Sequence, residues 1–262
     1  MSFHYRALFL SDLHLGARAS RPQVVLDFLR QHSAETIYLV GDIFDLWHGG
    51  RIHWHHAHDA VVAELTRRIV AGSRVIYLAG NHDAVLREPG AARLPEGWEL
   101  REALTHKAAD GRRYLVLHGD QCDARILRFH VMTRIGSRAD AAILGFDSWL
   151  SEKFDRRAPN RDTPIRRMMA RVNSLFVLGG RFERRLVALA KAADTDGVIC
   201  GHSHKAGMHM IDGALYANCG DWVDSLTALV ETQTGALRLV EWQPHPAEAP
   251  TGEAPAFAGS RA

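Results

Sequence analysis

The sequence predicts a layered α/β domain that carries a helical insertion. Short apolar runs alternate with amphipathic helical patterns in the first hundred residues, which predicts parallel strands joined by crossover helices. A long stretch rich in Arg and Met then lacks any strand pattern, and a series of short strands separated by turns follows it. We therefore expect one domain over residues 1–243, a helical insertion or lid over residues 121–195, and a disordered tail over residues 244–262.

The first half supplies three strands and two helices. The apolar runs at 7–10, 37–40 and 75–78 have the length and composition of buried strands. Helical patterns follow the first two runs, and Pro22 opens one of them while Gly72 ends the other. This alternation predicts that the carboxyl ends of the three strands lie at one edge of a sheet.

The second half is predicted to add further strands on both sides of the insertion. Asp110-Gly111 is a hairpin turn signal that precedes a strand at 114–117. Another buried strand is predicted at 198–200, and antiparallel strands are predicted at 208–211, 214–216, 226–230 and 237–242.

Composition excludes several classes of protein. The 262 residues are 47% hydrophobic and 24% charged, which is ordinary for a soluble globular domain. A net charge of +2 gives no reason to expect a nucleic-acid partner. Three cysteines without a Cys-x-x-Cys motif argue against a disulfide framework and a thiolate zinc site. Without a signal-peptide pattern or an apolar run of about 18 residues, the sequence predicts a cytoplasmic protein.

Polar clusters rich in Asp, His and Asn follow five of the apolar runs. They are Asp12-Leu13-His14, Gly41-Asp42, Gly80-Asn81-His82-Asp83, His118-Gly119-Asp120 and Gly201-His202-Ser203-His204. Each cluster alone is typical of a turn or a solvated loop. Their repeated position after a strand predicts instead that they meet in one site at a sheet edge.

The clusters contain seven candidate metal ligands. They are Asp12, His14, Asp42, Asn81, His118, His202 and His204. This number suits two metal ions with Asp42 as the shared carboxylate. Oxygen and imidazole donors without thiolate suit Mn²⁺, Fe²⁺, Co²⁺ or Zn²⁺ better than Ca²⁺. Two such ions about 4 Å apart can activate water and bind the oxygens of a phosphoryl group, so the sequence predicts a metal-dependent hydrolase.

Taken together, the clusters resemble the motifs of the calcineurin-like metallophosphoesterases, and the resemblance covers roughly residues 5–232. It implies a four-layer α-β-β-α sandwich of mixed sheets. It implies one metal ion on Asp12, His14, Asp42 and His204, and a second on Asp42, Asn81, His118 and His202. It also implies that His82 donates a proton to the leaving group or stabilises the transition state, and that Asp83 orients His82.

Several stretches further resemble the UDP-2,3-diacylglucosamine hydrolase branch, namely residues 11–16, 41–47 and 118–120. The branch implies a Mn²⁺ enzyme that works at the inner-membrane surface and cleaves UDP-2,3-diacylglucosamine to lipid X and UMP. The chain departs from the branch at His82, where the branch has arginine, and at the ending 218–222. These departures leave open a sister group within the branch that acts on a different substrate.

Further residues of the chain are candidates for substrate contacts. Arginine binds phosphate bidentately, and Arg125, Arg128 and Arg171 of the insertion are the candidates for this role. The His- and Trp-rich stretch at 47–58 is either a substrate rim or a polar loop. Three alternatives stay open: a general phosphodiesterase or phosphomonoesterase, a metal-binding scaffold without catalysis, and a nuclease, which the near-neutral charge disfavours.

Overall fold

Two mixed β-sheets stack face to face, and helices cover both outer sides. The structure, a computed structural model, describes residues 3–46, 52–88, 94–122 and 181–243. In the described residues the elements are β1 (Phe3–Leu10), α1 (Pro22–Gln31), β2 (His32–Val40), α2 (His56–Val70), β3 (Arg74–Leu78), β4 (Trp98–Arg101), β5 (Ala103–Lys107), β6 (Arg113–Leu117), α3 (Arg181–Ala192), β7 (Gly197–Cys200), β8 (Gly207–Ile211), β9 (Ala214–Asn218), β10 (Thr227–Glu231) and β11 (Leu237–Glu241). Short 3-10 turns lie at Ala84–Arg87 and Asp120–Cys122.

Both sheets combine parallel and antiparallel pairs. The first sheet has the order β11-β10-β1-β2-β3-β4, with β1 to β4 parallel and β10 antiparallel to β1. The second sheet has the order β5-β6-β7-β9-β8, with β6, β7 and β9 parallel and antiparallel strands at both edges.

The alternation of side chains along each strand builds the layers. On β1, Leu8 and Leu10 pack in the helix-facing core with α1 and α2, whereas Phe9 packs between the sheets. On β7, Ile199 faces the first sheet, and Val198 packs against α3. Each fully buried leucine contributes about 1.5–3 kcal/mol to stability. The predicted four-layer α-β-β-α sandwich of mixed sheets is thereby confirmed.

The topology brings the predicted polar clusters to one edge. β1, β2 and β3 run parallel in the first sheet, and β6 and β7 run parallel in the second. Each of these strands ends within three residues of a predicted ligand. Because the carboxyl ends of parallel strands share an edge, the sandwich gathers side chains that lie far apart in the sequence.

The structure differs from the sequence prediction in three places. β4 and β5 were not predicted, since short strands of mixed polarity carry no clear period. β9, predicted as antiparallel, pairs parallel with β7, and only its partner β8 is antiparallel to it. α3, predicted within the insertion, packs on the second sheet as an outer layer.

The predicted domain boundaries stay predictions. Residues 123–180 of the insertion and the tail from residue 244 lie outside the described residues. Among the helices described, none has both the length and the apolar character needed to cross a membrane.

Candidate metal centre

The predicted ligands sit in loops with an unusual backbone conformation. Positive φ angles occur at Asp12 (55°), His14 (47°), Asp42 (53°), His202 (68°) and His204 (56°). This region is sparsely populated by residues other than glycine, and each such residue costs about 1–3 kcal/mol. Strain of this kind clusters at functional sites, where surrounding contacts hold it in place.

Hydrogen bonds between the loops hold these conformations. Asp12 N donates to Gly41 O (3.0 Å), and His14 N donates to Asp42 O (2.9 Å). His202 N donates to Asp12 Oδ2 (3.0 Å), which ties a loop of the second sheet to a loop of the first. The ligand loops are therefore fixed against one another before any ion binds.

Glycines next to the ligands allow the loops to approach closely. At Gly41, where φ is +79°, a Cβ atom would overlap the ring of His118. At Gly201 a Cβ atom would overlap the hydroxyl of Ser11. Glycine at these two positions is a packing requirement of the site.

One group of ligand atoms comes from Asp12, His14 and His204. Asp12 Oδ1 lies 3.2 Å from His204 Nε2 and 3.7 Å from His14 Nε2. Within the described part of the chain, Asp12 Oδ1 and His14 Nε2 are buried and have no hydrogen bond of acceptable geometry. Buried polar atoms left in this way are costly, and a cation between them would satisfy both. This group therefore fits a divalent metal ion.

A second group comes from Asp42, Asn81, His118 and His202. His118 Nδ1 donates to Val40 O (2.9 Å), which leaves Nε2 as the ligand atom. Asn81 Oδ1 and Asp42 Oδ2 both lie 3.3 Å from this nitrogen, and a ring nitrogen of His202 lies close to Asp42 and His118. Lone pairs of several acceptors thus converge on one place, so this group also fits a cation.

The electrostatics of both groups favour positive charge. Burial disfavours the charged form of His118, but the Asp42 carboxylate outweighs it and raises the pKa of His118 to about 10. Burial likewise opposes protonation of His204, and Asp12 overcomes this and raises its pKa to about 9. Burial opposes ionisation of Asp42, but His118 prevails and lowers its pKa to about 2. Asp42 therefore stays ionised at neutral pH, and His118 and His204 carry protons at the positions where metal ions would bind.

His82 is oriented by a residue other than the predicted one. Its Nδ1 lies 2.9 Å from Asp45 Oδ1, and its ring packs edge-on against His14 with centroids 4.6 Å apart. Asp45 was not among the predicted site residues. Its position three residues after Asp42, in the same loop, is the signal that could have identified it.

Asp83, predicted to orient His82, braces the loops instead. The buried Asp83 carboxylate accepts hydrogen bonds from Ile43 N (2.9 Å), Gly80 N (2.5 Å) and the hydroxyl of Tyr77. The prediction rested on adjacency in the sequence, but adjacent side chains diverge. Asp83 links the loop after β3 to the loop after β2.

Two residues, one at the end of β9 and one just after it, support the histidine loop and were also missed. Asn218 donates to Gly201 O (2.7 Å) and Ser203 Oγ (3.1 Å), which fixes the loop that carries His204. The Asp221 carboxylate lies 3.8 Å from His204 Nδ1, on the side of the ring away from Asp12. Asn218-Cys219-Gly220-Asp221 repeats the pattern of a polar cluster after an apolar strand, and this pattern could have revealed both.

Some predicted contacts cannot be placed. Arg125, Arg128 and Arg171 lie outside the described residues, as do Trp47 and His48. In residues 52–58, the described part of this stretch, His58 is buried and accepts a hydrogen bond from His55 N at the start of α2. Trp54 donates to Asp59 (2.7 Å). These two contacts are local, and the same stretch also supplies Ile52 and Trp54 to the lining of an apolar cavity.

The family model for calcineurin-like phosphoesterases matches residues 5–206. This chain belongs to that family. The predicted identity as a phosphoester hydrolase is thereby confirmed. In the described residues three groups of Asp and His side chains could hold a metal ion, namely the two above and a third made by His14, Asp45 and His82, and they are candidate sites for the divalent metal ions of the family. The assignment of individual ligands stays a prediction that the geometry supports.

Relatives within the family carry a more specific name. UDP-2,3-diacylglucosamine hydrolase of Ralstonia nicotianae is 27% identical over 228 residues, which covers 82% of each chain. The enzyme of the same name from Shewanella pealeana is 26% identical over 249 residues, or 90% of this chain and 98% of the relative. That of Xanthomonas oryzae is 36% identical over 116 residues, so there the match spans only 46% of the relative.

Proposed function

We propose that this protein is a two-metal hydrolase that cleaves the pyrophosphate of a UDP-linked diacyl sugar or of a related lipid-linked nucleotide. The observation that carries the proposal is the convergence of two ligand groups at one edge of the sandwich. The names of the relatives support the nucleotide-linked substrate.

The ligand set suits Mn²⁺, which we propose as the metal; Fe²⁺, Co²⁺ and Zn²⁺ share the same preference for oxygen and imidazole donors. Asp12, His14 and His204 would hold one ion, and Asn81, His118 and His202 the other, with Asp42 between them. When bound, the ions supply Lewis-acid activation of water and neutralise charge on the phosphoryl oxygens.

His82 is the proposed proton donor to the leaving group. The Asp45 carboxylate holds its Nδ1, so Nε2 is the atom that would deliver a proton to the leaving oxygen. A fixed ring orientation matters because proton transfer requires hydrogen-bond distance to the reacting oxygen.

An apolar cavity beside His82 and Asp45 supports an acylated substrate. It has a volume of about 450 Å³ and is lined by Leu15, Phe44, Leu46, Ile52, Trp54, Leu86, Leu94 and Pro95. Leu15 follows the predicted ligand His14, and Leu46 N donates to His82 O (3.0 Å), so the cavity adjoins the site. An apolar lining of this size suits aliphatic chains better than a small soluble ester.

A diacyl substrate resides in a membrane, so we further propose that the protein acts in the cytoplasm at the surface of the inner membrane. Binding of the purified protein to anionic vesicles in a flotation assay is the expected result. A protein that stays with the soluble fraction at low salt would contradict this location.

The decisive test is hydrolysis by the purified protein with Mn²⁺. We expect release of UMP from UDP-2,3-diacylglucosamine, and loss of activity with EDTA or in Asp42→Ala. UDP-N-acetylglucosamine is the matched substrate without acyl chains, and we expect kcat/KM for it to be at least about 10-fold lower, since each buried methylene contributes about 0.8 kcal/mol.

A general phosphodiesterase is the second candidate, because His82 stands where the branch has arginine. Turnover of bis(p-nitrophenyl) phosphate without release of UMP would establish it. A metal-bound protein that hydrolyses neither substrate would support a scaffold.

A further inference from the structure

A single arginine joins the two sheets next to the second ligand group. Arg87 lies in the 3-10 turn after β3, and Asp120 follows β6. Arg87 Nη1 donates to Asp120 Oδ2 (3.0 Å), and Nη2 donates to Asp120 Oδ1 (3.3 Å). Bidentate pairs of this kind fix orientation as well as distance.

Two further N–H groups of Arg87 also donate to the protein. Nη2 donates to Ala79 O (2.6 Å), and Nε donates to Glu102 Oε2 (2.8 Å). Four hydrogen bonds therefore occupy a guanidinium group that has five N–H donors. A side chain committed in this way acts on the protein framework and does not serve as a ligand for substrate phosphate.

The contacts of Arg87 flank two predicted metal ligands. Ala79 precedes Asn81 by two residues, and Asp120 follows His118 by two residues. Asn81 Oδ1 lies 3.3 Å from His118 Nε2, although the two residues follow strands of different sheets. Arg87 thus connects the same two loops whose separation sets the distance between these ligand atoms.

The pair with Asp120 is held firmly because one partner is buried. The Asp120 side chain is 4% exposed, whereas that of Arg87 is 29% exposed. A buried carboxylate without its partner is strongly destabilising, so the two loops move together as long as the pair is intact.

We propose that Arg87 is a positioning residue that sets the separation of Asn81 and His118 and thereby the affinity of the second metal ion. The inference rests on the two-metal centre of the proposed function. The other ligand group, made by Asp12, His14 and His204, comes from loops that the contacts described for Arg87 do not reach. The effect of Arg87 is therefore specific to one ion.

The test is a titration of the metal-free full chain with Mn²⁺. Calorimetry and electron paramagnetic resonance monitor the binding. We expect two binding events in the wild type. In Arg87→Gln the dissociation constant of one ion rises about 10- to 100-fold, as is typical when a supporting contact of a ligand is lost, and that of the other ion is unchanged. The spectrum of spin-coupled Mn²⁺ pairs disappears at metal concentrations that saturate the wild type.

Arg74→Gln is the matched control. Arg74 makes a more exposed ion pair with Glu99 (3.0 Å) at the opposite end of β3, away from the ligands. We expect both dissociation constants of this variant to equal those of the wild type.

Arg87→Lys provides a second variant if Arg87→Gln does not fold. Lysine keeps the charge but not the bidentate geometry, and we expect an intermediate weakening of the same ion. Wild-type affinity for both ions in either folded variant, or equal weakening of both ions, would overturn the role of Arg87. A wild-type protein that binds no Mn²⁺ would instead refute the metal centre, and the role of Arg87 with it.

Discussion

Asp45 Oδ1 lies 2.9 Å from His82 Nδ1, and this contact connects the loop after β2 to the loop after β3. The same loops carry the predicted ligands Asp42 and Asn81. The orientation of His82 relative to the metal centre therefore depends on a carboxylate that is not itself a predicted ligand. Asp45, which orients His82, can therefore be distinguished by mutation from Asp83, which braces the loops.

Asp45→Ala should impair catalysis and leave the fold intact. Without its carboxylate partner the His82 ring loses a fixed orientation, and we expect kcat to fall about 10- to 100-fold, less than the loss of a general acid itself. The Asp45 side chain is 17% exposed at a loop, so we expect the melting temperature to change little. Steady-state kinetics and a thermal melt measure both effects. An unchanged kcat would show that His82 does not need Asp45.

Asp83→Ala should mainly lower the stability of the fold. It leaves the buried donors Ile43 N, Gly80 N and the Tyr77 hydroxyl without their acceptor. At about 1–3 kcal/mol for each buried unsatisfied group, partly relieved by water, we expect a loss of about 3–5 kcal/mol in the free energy of unfolding. Urea denaturation of the metal-free protein measures it. A loss below about 1 kcal/mol would contradict the bracing role.

Binding of metal should release protons near neutral pH. The pKa of His118 is raised to about 10 and that of His204 to about 9, so the metal-free protein carries both protons at pH 7. Metal ligands must be neutral imidazoles, so the ions displace these protons and their affinity rises with pH until about pH 9–10. Calorimetry in buffers with different enthalpies of ionisation counts the protons. Binding without proton release at pH 7 would contradict the prediction.

The stability of the metal-free protein should depend on pH in a defined direction. His118 has a folded pKa raised from 6.5 to about 10, so the stability it contributes is complete below pH 6.5 and is lost as the pH rises through 10. Asp42 has a folded pKa lowered from 3.8 to about 2, so its contribution is present above pH 3.8 and is lost as the pH falls through 2.

Thermal melts in EDTA should therefore show a falling midpoint between pH 6.5 and 10. His118→Ala is the control, because without the imidazole this part of the pH dependence should flatten. A midpoint that rises over the same interval in the wild type would rule out the ion pair of His118 and Asp42.

The sequence was most informative about residues placed by strand geometry. Asp12, Asp42 and His118 each follow an apolar strand, and the rule for the carboxyl ends of parallel strands brings them together without knowledge of the loops. The layers were also predictable, since the strands are apolar on both faces.

Residues placed by contacts between loops were not predictable in this way. Asp45, Asp221 and Arg87 act on partners that are distant in the sequence or in another sheet, and no local period reports such contacts. Asp83 was assigned to His82 because the two are neighbours in the chain, which is a poor guide to where side chains point. β5 forms because it pairs antiparallel with β6. The alternation of polar and apolar residues within β5 is too weak to identify it as a strand.

The division of the centre between two sheets has a consequence for biosynthesis. Both ligand groups require a histidine of the last cluster, His202 in one and His204 in the other. A nascent chain therefore cannot complete the group of Asp42 and His118 before residue 202 has left the ribosome, or the group of Asp12 and His14 before residue 204, although five of the seven predicted ligands have emerged long before. Metal acquisition is expected to be a late event in the maturation of this protein, and translation products truncated before this point should be inert.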